Sequence, residues 1–443
     1  MVETDSSKAV SSTENIKSTP IPLTIPDVAD GSINRIKSVL ASKWLTQGNE
    51  VLAFESEIRR FTGSDYAIAY SNCTTALTAA LIAVGVAPGD FVITTSHSFI
   101  ATANAIRLCG AEPVFIDIEA DGYNIDPDSI QTFINDYCSL TESGLILNNP
   151  SEFISNDSPL FRIKENYIGK ISALLAVHQF GIPCDLKRIL EITNKFGINV
   201  VEDAACAIGS EILLNDKWIK IGGTTGSSAS CFSFHPRKVL TTGEGGMILT
   251  NDPEVSKFVR LYRHHGMSLS DLDRHKLQNF EIEEYLITGT NSRMSDVHAA
   301  LGNAQLEELS INLENRLSAY NRYQEILRNI DTILLPKIEK DQRPNWQSLP
   351  VRLYGGNLNL VVQFITQLKS LNIHPKLGIQ NIHKTQHYQN TKYLKSNRLR
   401  HSDEASNSTL LLPIYGSITN EQIETVTKAL VLTSQKLISK WKI

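Results

Sequence analysis

Five short runs in the first half of the chain are apolar almost without a break: YAIAYS, FVITTS, EPVFIDI, ISALLAVHQF and INVVEDAA. Segments with helical spacing lie among them, TTALTAALIAV, IATANAIRLCG and DLKRILEITNKFG. A strand that is apolar at nearly every position is buried on both faces. Alternation of such strands with helices means an α/β fold around a mostly parallel sheet. In an open parallel sheet, ligands bind beyond the carboxyl ends of the strands. The chemistry of this chain should therefore sit where the apolar runs stop.

At 443 residues the chain exceeds one ordinary core. The reading is a tail at residues 1–20, a large domain at 21–305 and a smaller C-terminal α/β domain at 306–443. INRIKSVLASKWL has helical spacing, and a second helix is expected from Val51 through Phe61. The stretch from Ser295 onward is helical over many turns, with room for one break, and connects the two domains. In the smaller domain PVRLYG and LLLPIYG read as strands. NEQIETVTKALVLTSQKLI reads as an amphipathic helix capped by Thr419 or Asn420. Residues 138–169 are polar and turn-rich, far beyond a loop median of about 4–6 residues. They read as a surface insertion, or else as a badly formed hairpin.

Several function classes fall away. The net charge of -5 and the scattered Lys and Arg residues give no field for nucleic acid or an anionic membrane. The six cysteines, Cys73, Cys109, Cys138, Cys184, Cys206 and Cys231, include no CxxC pair and no zinc spacing, so no metal is expected. A reduced cytoplasmic protein is the simple reading. The apolar stretch at residues 76–87 is too short to span a bilayer, and the N-terminus has no apolar core of a signal peptide.

At the strand ends, SNCTT offers helix-start N–H groups and hydroxyls that suit a phosphate, although alone it reads as an ordinary helix cap. Phe99 follows the second run, either facing a ligand ring or packed as core. Glu202 and Asp203 end INVVEDAA, and a carboxylate there needs a partner or a capping role. CFSFHPRK brings Ser233 and Lys238, the lysine standing just before a glycine-rich turn. A phosphate cup, an aromatic plate, a buried carboxylate and a lysine together match what pyridoxal 5'-phosphate (PLP) requires. His178 and His235 read as packed or hydrogen-bonded loop histidines.

On these residues, and on WLTQGNEVLAFE, SNCTTAL, FIATANAI, PVFIDI, VEDAACAIGS, CFSFHPRKVLTTGEGGMILTND and GTNSRMSDVHAALGNAQL, the chain resembles the DegT/StrS-type sugar aminotransferases. The likeness runs from about Ile21 to the C-terminal helix. It implies the PLP-dependent transferase fold of type I and a homodimer with shared active sites. Lys238 would form the Schiff base and then carry the proton between substrate and cofactor. Asp203 would pair with the pyridine nitrogen and Phe99 would stack on the ring. Cys73, Thr74 and Ser233 would hold the phosphate, with Asn291 reaching the phosphate of the neighbouring subunit. Arg293 is either structural or a substrate ligand.

The chain departs from the family at Cys73, where many members have Gly, and at Cys206, where many have a Gln that serves the cofactor's phenolic oxygen. It departs again at Gly378 and Ile379, in place of a His-Tyr pair. The surroundings of Lys238 are expected to lower its pKa.

The implied reaction moves an amino group from an amino acid, L-glutamate by analogy, to a keto-sugar carried on a nucleotide. Aminocyclitol transamination would use the same residues. A sugar dehydratase is disfavoured, since that branch replaces the lysine with histidine. A non-catalytic regulatory protein would have no need of both Lys238 and Asp203.

Overall fold

The computed structural model describes residues 19–155, 158, 169–269, 274, 282–389, 391–396 and 398–438. The expected tail at 1–20 lies almost wholly outside them. Seven strands form the central sheet in the order Tyr66–Tyr70, Gly246–Thr250, Ala229–Ser233, Asn199–Asp203, Ile171–Val177, Phe91–Thr95, Glu112–Ile116. Six run the same way, and Gly246–Thr250 alone is antiparallel to both its neighbours. Every residue of Phe91–Thr95 and Ile171–Val177 is buried, as the unbroken apolar runs require.

One core lies on each face of this sheet. Phe54, Ile58, Ile93, Leu174, Val200 and Phe232 belong to one; Ile68, Leu77, Val92, Leu175, Val201 and Cys231 belong to the other. Neighbouring residues of one strand, such as Leu174 and Leu175, go to opposite cores because strand side chains alternate. The helices that cover the sheet are cut by local signals. Asn49–Thr62 buries Val51, Phe54 and Ile58 on one stripe and ends at Gly63 with φ 81. Pro127–Tyr137 begins after the Asp126 cap, and Leu186–Lys195 after the Asp185 cap.

The connector at the expected boundary is a single helix, Asp296–Leu327, with Ser295 as its cap and no break. Ala299 and Leu309 join the core beneath the large sheet, whereas Tyr320, Tyr323 and Leu327 join that of the smaller domain. In the latter, four antiparallel strands, in the order Ile333–Leu334, Leu349–Leu353, Thr409–Leu412, Lys376–Leu377, carry the helices Leu358–Ser370 and Asn420–Ile438. Ile21 also packs into this core through its bridge to Ile373. Thr419, not Asn420, caps the last helix. Its hydroxyl accepts the Gln422 N–H at 3.2 Å while Gln422 Oε1 accepts the Thr419 N–H at 3.0 Å, a reciprocal capping box.

The described part of residues 138–169 begins as a hairpin. Cys138–Thr141 pairs with Gly144–Leu147, and Leu145, Leu147 and Phe153 are buried in the main core. Residues 156–157 and 159–168 of that segment lie outside the described residues. Among the described residues no helix is long and apolar enough to cross a membrane.

Candidate active site

The parallel strands end on one edge of the sheet, and a cavity of ≈ 320 Å³ opens there, within the size range of small-molecule sites. Cys73, Thr74, Phe99, Asp203, Cys206, Ser233 and Lys238 all line it. Asn291 does not. It is exposed and forms a backbone bridge with His264.

The Lys238 loop is pinned from both domains. The Lys238 N–H donates to His235 O at 2.8 Å. Gln347 accepts the Val239 N–H at 2.9 Å and donates to Arg237 O at 2.6 Å. Gln305, on the long helix, accepts the Thr241 N–H at 3.1 Å and donates to Thr241 O at 2.7 Å. The side chain of Lys238 enters the cavity, and its amine donates to Cys206 Sγ at 3.1 Å.

The expectation of a lowered lysine pKa is corrected here. Burial does favour the neutral amine, but the sulfur of Cys206, then Cys73 and Asp203, outweigh it, and the pKa lies above the usual lysine value. The lysine's electronegative neighbours, and not its burial, decide the sign.

Asp203 ends its strand level with Cys231 of the next strand. Its Oδ2 accepts the Thr102 hydroxyl at 2.7 Å, and Oδ1 accepts the Ala205 N–H at 3.2 Å. Ser98 in turn pairs with the Thr102 hydroxyl at 2.7 Å. Burial still pushes the Asp203 carboxyl above its ordinary range, the hydrogen bonds and Lys238 pulling the other way. A carboxylate so placed would gain from a cationic partner.

Side chains alternate along the strand, so Glu202 faces the opposite side. It receives His178 Nε2 at 2.7 Å, Thr225 at 2.6 Å, Ser230 at 2.9 Å and the Ser227 hydroxyl. His178 Nδ1 accepts the Cys184 N–H at 3.0 Å, which places the ring proton on Nε2. Burial acts to raise the Glu202 pKa, but His178 and the hydroxyls outweigh it and hold the carboxyl below its usual range. Both histidines are thus bonded as expected, His235 accepting the Arg237 N–H at 3.2 Å. Among the described residues no cluster of metal-ligating side chains occurs.

The expected phosphate cup falls at the start of helix Cys73–Ala83. Asn72 caps it by accepting the Thr75 N–H at 2.9 Å, leaving the first-turn amides of Cys73 and Thr74 open to a ligand. The Cys73 thiol does not crowd the cup. It turns to Cys231 O at 3.6 Å, and burial raises its pKa well above the ordinary thiol value. Gly246 makes the approach possible. A Cβ there would stand 2.4 Å from Asn72 C and 2.6 Å from Cys73 N. Phe99 is 66% exposed, so its ring is part of the cavity wall and not of a core. Arg293 donates to His264 Nδ1 at 2.7 Å and is not among the residues that line this cavity.

Sequence reasoning gave no role to Thr102, Gln347, Gln305 or Asn345. Asn345 holds Cys206 O and Ile208 O, each at 2.8 Å. Thr102 lies inside the quoted FIATANAI stretch, one helical turn past Phe99, but nothing in its type signals a bond to a residue so distant in sequence. The three amides act through loops of the smaller domain or the long helix.

A parallel sheet with one reversed strand leading out of a lysine loop, together with a buried carboxylate and a bare helix start, defines a PLP-dependent transferase of fold type I. The residues fit that cofactor, since the cup lacks a blocking Cβ and Asp203 and Lys238 share its cavity. Residues 26–431 match the DegT/DnrJ/EryC1/StrS aminotransferase family, and the chain belongs to it.

Two kinds of relative accompany that match. The chain is 30% identical over 411 residues to the spore coat polysaccharide biosynthesis protein SpsC of Bacillus subtilis, covering 92% of this chain and 96% of SpsC. The solved structure of S. venezuelae DesV in complex with a ketimine intermediate is 25% identical, with a TM-score of 0.76, and covers 94% of this chain and 99% of that one. Helicobacter pylori PseC, an aminotransferase involved in pseudoaminic acid biosynthesis, shares the fold at a TM-score of 0.78 and 24% identity, over 95% of this chain and 100% of PseC.

Proposed function

We propose that this chain is a sugar aminotransferase that takes an amino group from L-glutamate and delivers it to a keto-sugar carried on a nucleotide. One observation carries the reading: Lys238 and Asp203 line the same cavity as an open helix start and an exposed aromatic ring. The name of SpsC, a spore coat polysaccharide biosynthesis protein, supports a sugar acceptor. PLP, when bound, supplies an electron sink next to the carbon that gains or loses a proton.

The chain's own residues do the rest. The Cys73 and Thr74 amides with Ser233 would hold the phosphate. Phe99 would cover the ring face, and Asp203, oriented by Thr102, would pair with the ring nitrogen. Lys238 would anchor the cofactor and serve as the base that moves the proton at the reacting carbon. Asn291, exposed and outside this chain's cavity, completes the phosphate site of a second copy. Nearby Ile282 at 81% and Tyr285 at 66% exposure offer apolar contact area for that copy.

The test is the absorption spectrum of the purified protein with PLP, before and after L-glutamate. A visible band that shifts to shorter wavelength on adding glutamate, and returns with a keto-sugar nucleotide, is expected. A protein that forms no band would overturn the reading.

A further inference from the structure

Two cations reach the cavity from different domains without a counter-ion. Arg237 precedes Lys238 in the lysine loop, and Lys376 lies on the edge strand Lys376–Leu377 of the second sheet. Both line the cavity, and both have exposed side chains. Among the described residues neither forms an ion pair with a carboxylate. The base of the Arg237 side chain is fixed, because its N–H donates to His235 Nδ1 at 3.2 Å and its carbonyl accepts from Gln347 at 2.6 Å.

The cavity's own carboxylates do not neutralise this pair. Asp203 is buried and engaged by Thr102 and Ala205. Glu244 lines the cavity, but its charge bears on His235. Burial first, and then the charge of Arg237, lower the pKa of both Lys376 and His235. Like charges held in this way destabilise the empty site, and an incoming anion relieves the repulsion.

We propose that Arg237 and Lys376 form a clamp for an oxyanion group of the substrate, either the diphosphate of a nucleotide-linked sugar or the side-chain carboxylate of the amino-acid donor. This rests on the aminotransferase reading above. The guanidinium offers a two-pronged donor face and the ammonium a mobile point charge, a pairing suited to phosphate or carboxylate oxygens. Because one cation belongs to each domain, the bound anion would also tie the smaller domain to the lysine loop.

The experiment measures binding of pyrophosphate and of glutarate to the PLP-loaded protein by calorimetry. Loading fills the phosphate cup, so pyrophosphate cannot report on it. Wild type is compared with Arg237→Met and Lys376→Met, and with the charge-preserving Arg237→Lys and Lys376→Arg. Each methionine variant should weaken at least one probe by about tenfold, the loss of one charge-assisted hydrogen bond, with partial recovery in the charge-preserving pair.

Loss confined to pyrophosphate assigns the clamp to the diphosphate, and loss confined to glutarate, matched by a raised KM for glutamate at unchanged kcat, assigns it to the donor. A loaded, glutamate-responsive wild type that binds neither probe, or variants that bind both as wild type does, would overturn the clamp alone. Failure to take up PLP would overturn both the clamp and the reading beneath it.

Discussion

The amine of Lys238 donates to the sulfur of Cys206 across 3.1 Å, and that sulfur is the largest influence raising the lysine's pKa against the effect of burial. The role proposed for Lys238 needs a neutral amine, so Cys206 would hold the lysine back at neutral pH. In Cys206→Ala, burial is left with less opposition and the lysine titrates lower. The rate of band formation with added PLP, measured against pH, should therefore reach its plateau at lower pH in the variant than in wild type.

The sign extends to stability. A cation with a raised folded pKa stabilises below the ordinary lysine pKa and loses that contribution as pH climbs through the raised value. The cofactor-free wild type should lose more stability than the variant over that alkaline window. Identical pH–rate profiles would remove Cys206 from this role.

Asp203 and Thr102 should separate by magnitude. Asp203→Asn keeps the shape but removes the charge that would face the ring nitrogen, so turnover should fall by about 10²–10⁴, the scale of a lost acid–base or electrostatic contribution. The visible band should persist, because Lys238 is intact. Thr102→Val removes only the 2.7 Å bond that orients the carboxylate and should cost about tenfold in turnover, a single hydrogen bond to a charged group. Stopped-flow spectra of the glutamate half-reaction check both, and equal losses in the two variants would contradict the division of roles.

The buried Glu202 makes a pH prediction of the opposite sign. Its folded pKa is depressed, so it stabilises above the ordinary glutamate range, and that contribution disappears as pH falls through the lower folded value. Glu202→Gln removes the charge and replaces one of the two acceptor oxygens with an NH2 donor, so either His178 or the three hydroxyls lose their acceptor, and it should cost about 3–5 kcal/mol at neutral pH. Urea unfolding of the cofactor-free protein should show that difference shrinking on acidification. A difference that stays constant with pH would mean that Glu202 titrates alike in the folded and unfolded protein, and would overturn the depressed folded value.

The sequence made the large sheet legible because strands such as Phe91–Thr95 are buried on both faces and so carry unbroken apolar runs. The site was legible where residue type announces chemistry, at Lys238 and Asp203. It was not legible where the partner is remote in sequence. Thr102 meets Asp203 only once Phe91–Thr95 and Asn199–Asp203 have been set on either side of Ile171–Val177, and Gln347 meets the lysine loop only after a second domain has folded. The lysine pKa was misjudged for the same reason, since burial can be read from a neighbouring apolar run whereas the approach of Cys206 cannot. The hairpin at Cys138–Thr141 and Gly144–Leu147 was obscured by polar residues on its exposed strand, of which only Cys138 is partly buried.

Gly246 gives the most direct test of the phosphate cup. It pairs with Tyr70 on one side and Ser233 on the other, at the sheet edge directly beneath the start of helix Cys73–Ala83. An added methyl would meet Asn72 C at 2.4 Å, Asn72 O at 2.6 Å and Cys73 N at 2.6 Å. These are backbone atoms in a capped helix start, so they cannot swing aside as a flexible side chain would. Gly246→Ala must therefore displace the amides of the cup or the strand below them. Overpacking of this kind costs about 1–3 kcal/mol. Much of that strain should appear as lost PLP affinity, because the displaced amides are the proposed ligands of the phosphate. Fluorescence titration of the cofactor-free variant with PLP should show affinity weakened by about tenfold or more, equivalent to ~1.4 kcal/mol. Pyridoxal, which lacks the phosphate, should bind the variant and wild type alike. A variant that loses both ligands equally would place the damage in the sheet, in which case Ser233→Ala, which removes the proposed side-chain ligand of the phosphate, must show the selective loss.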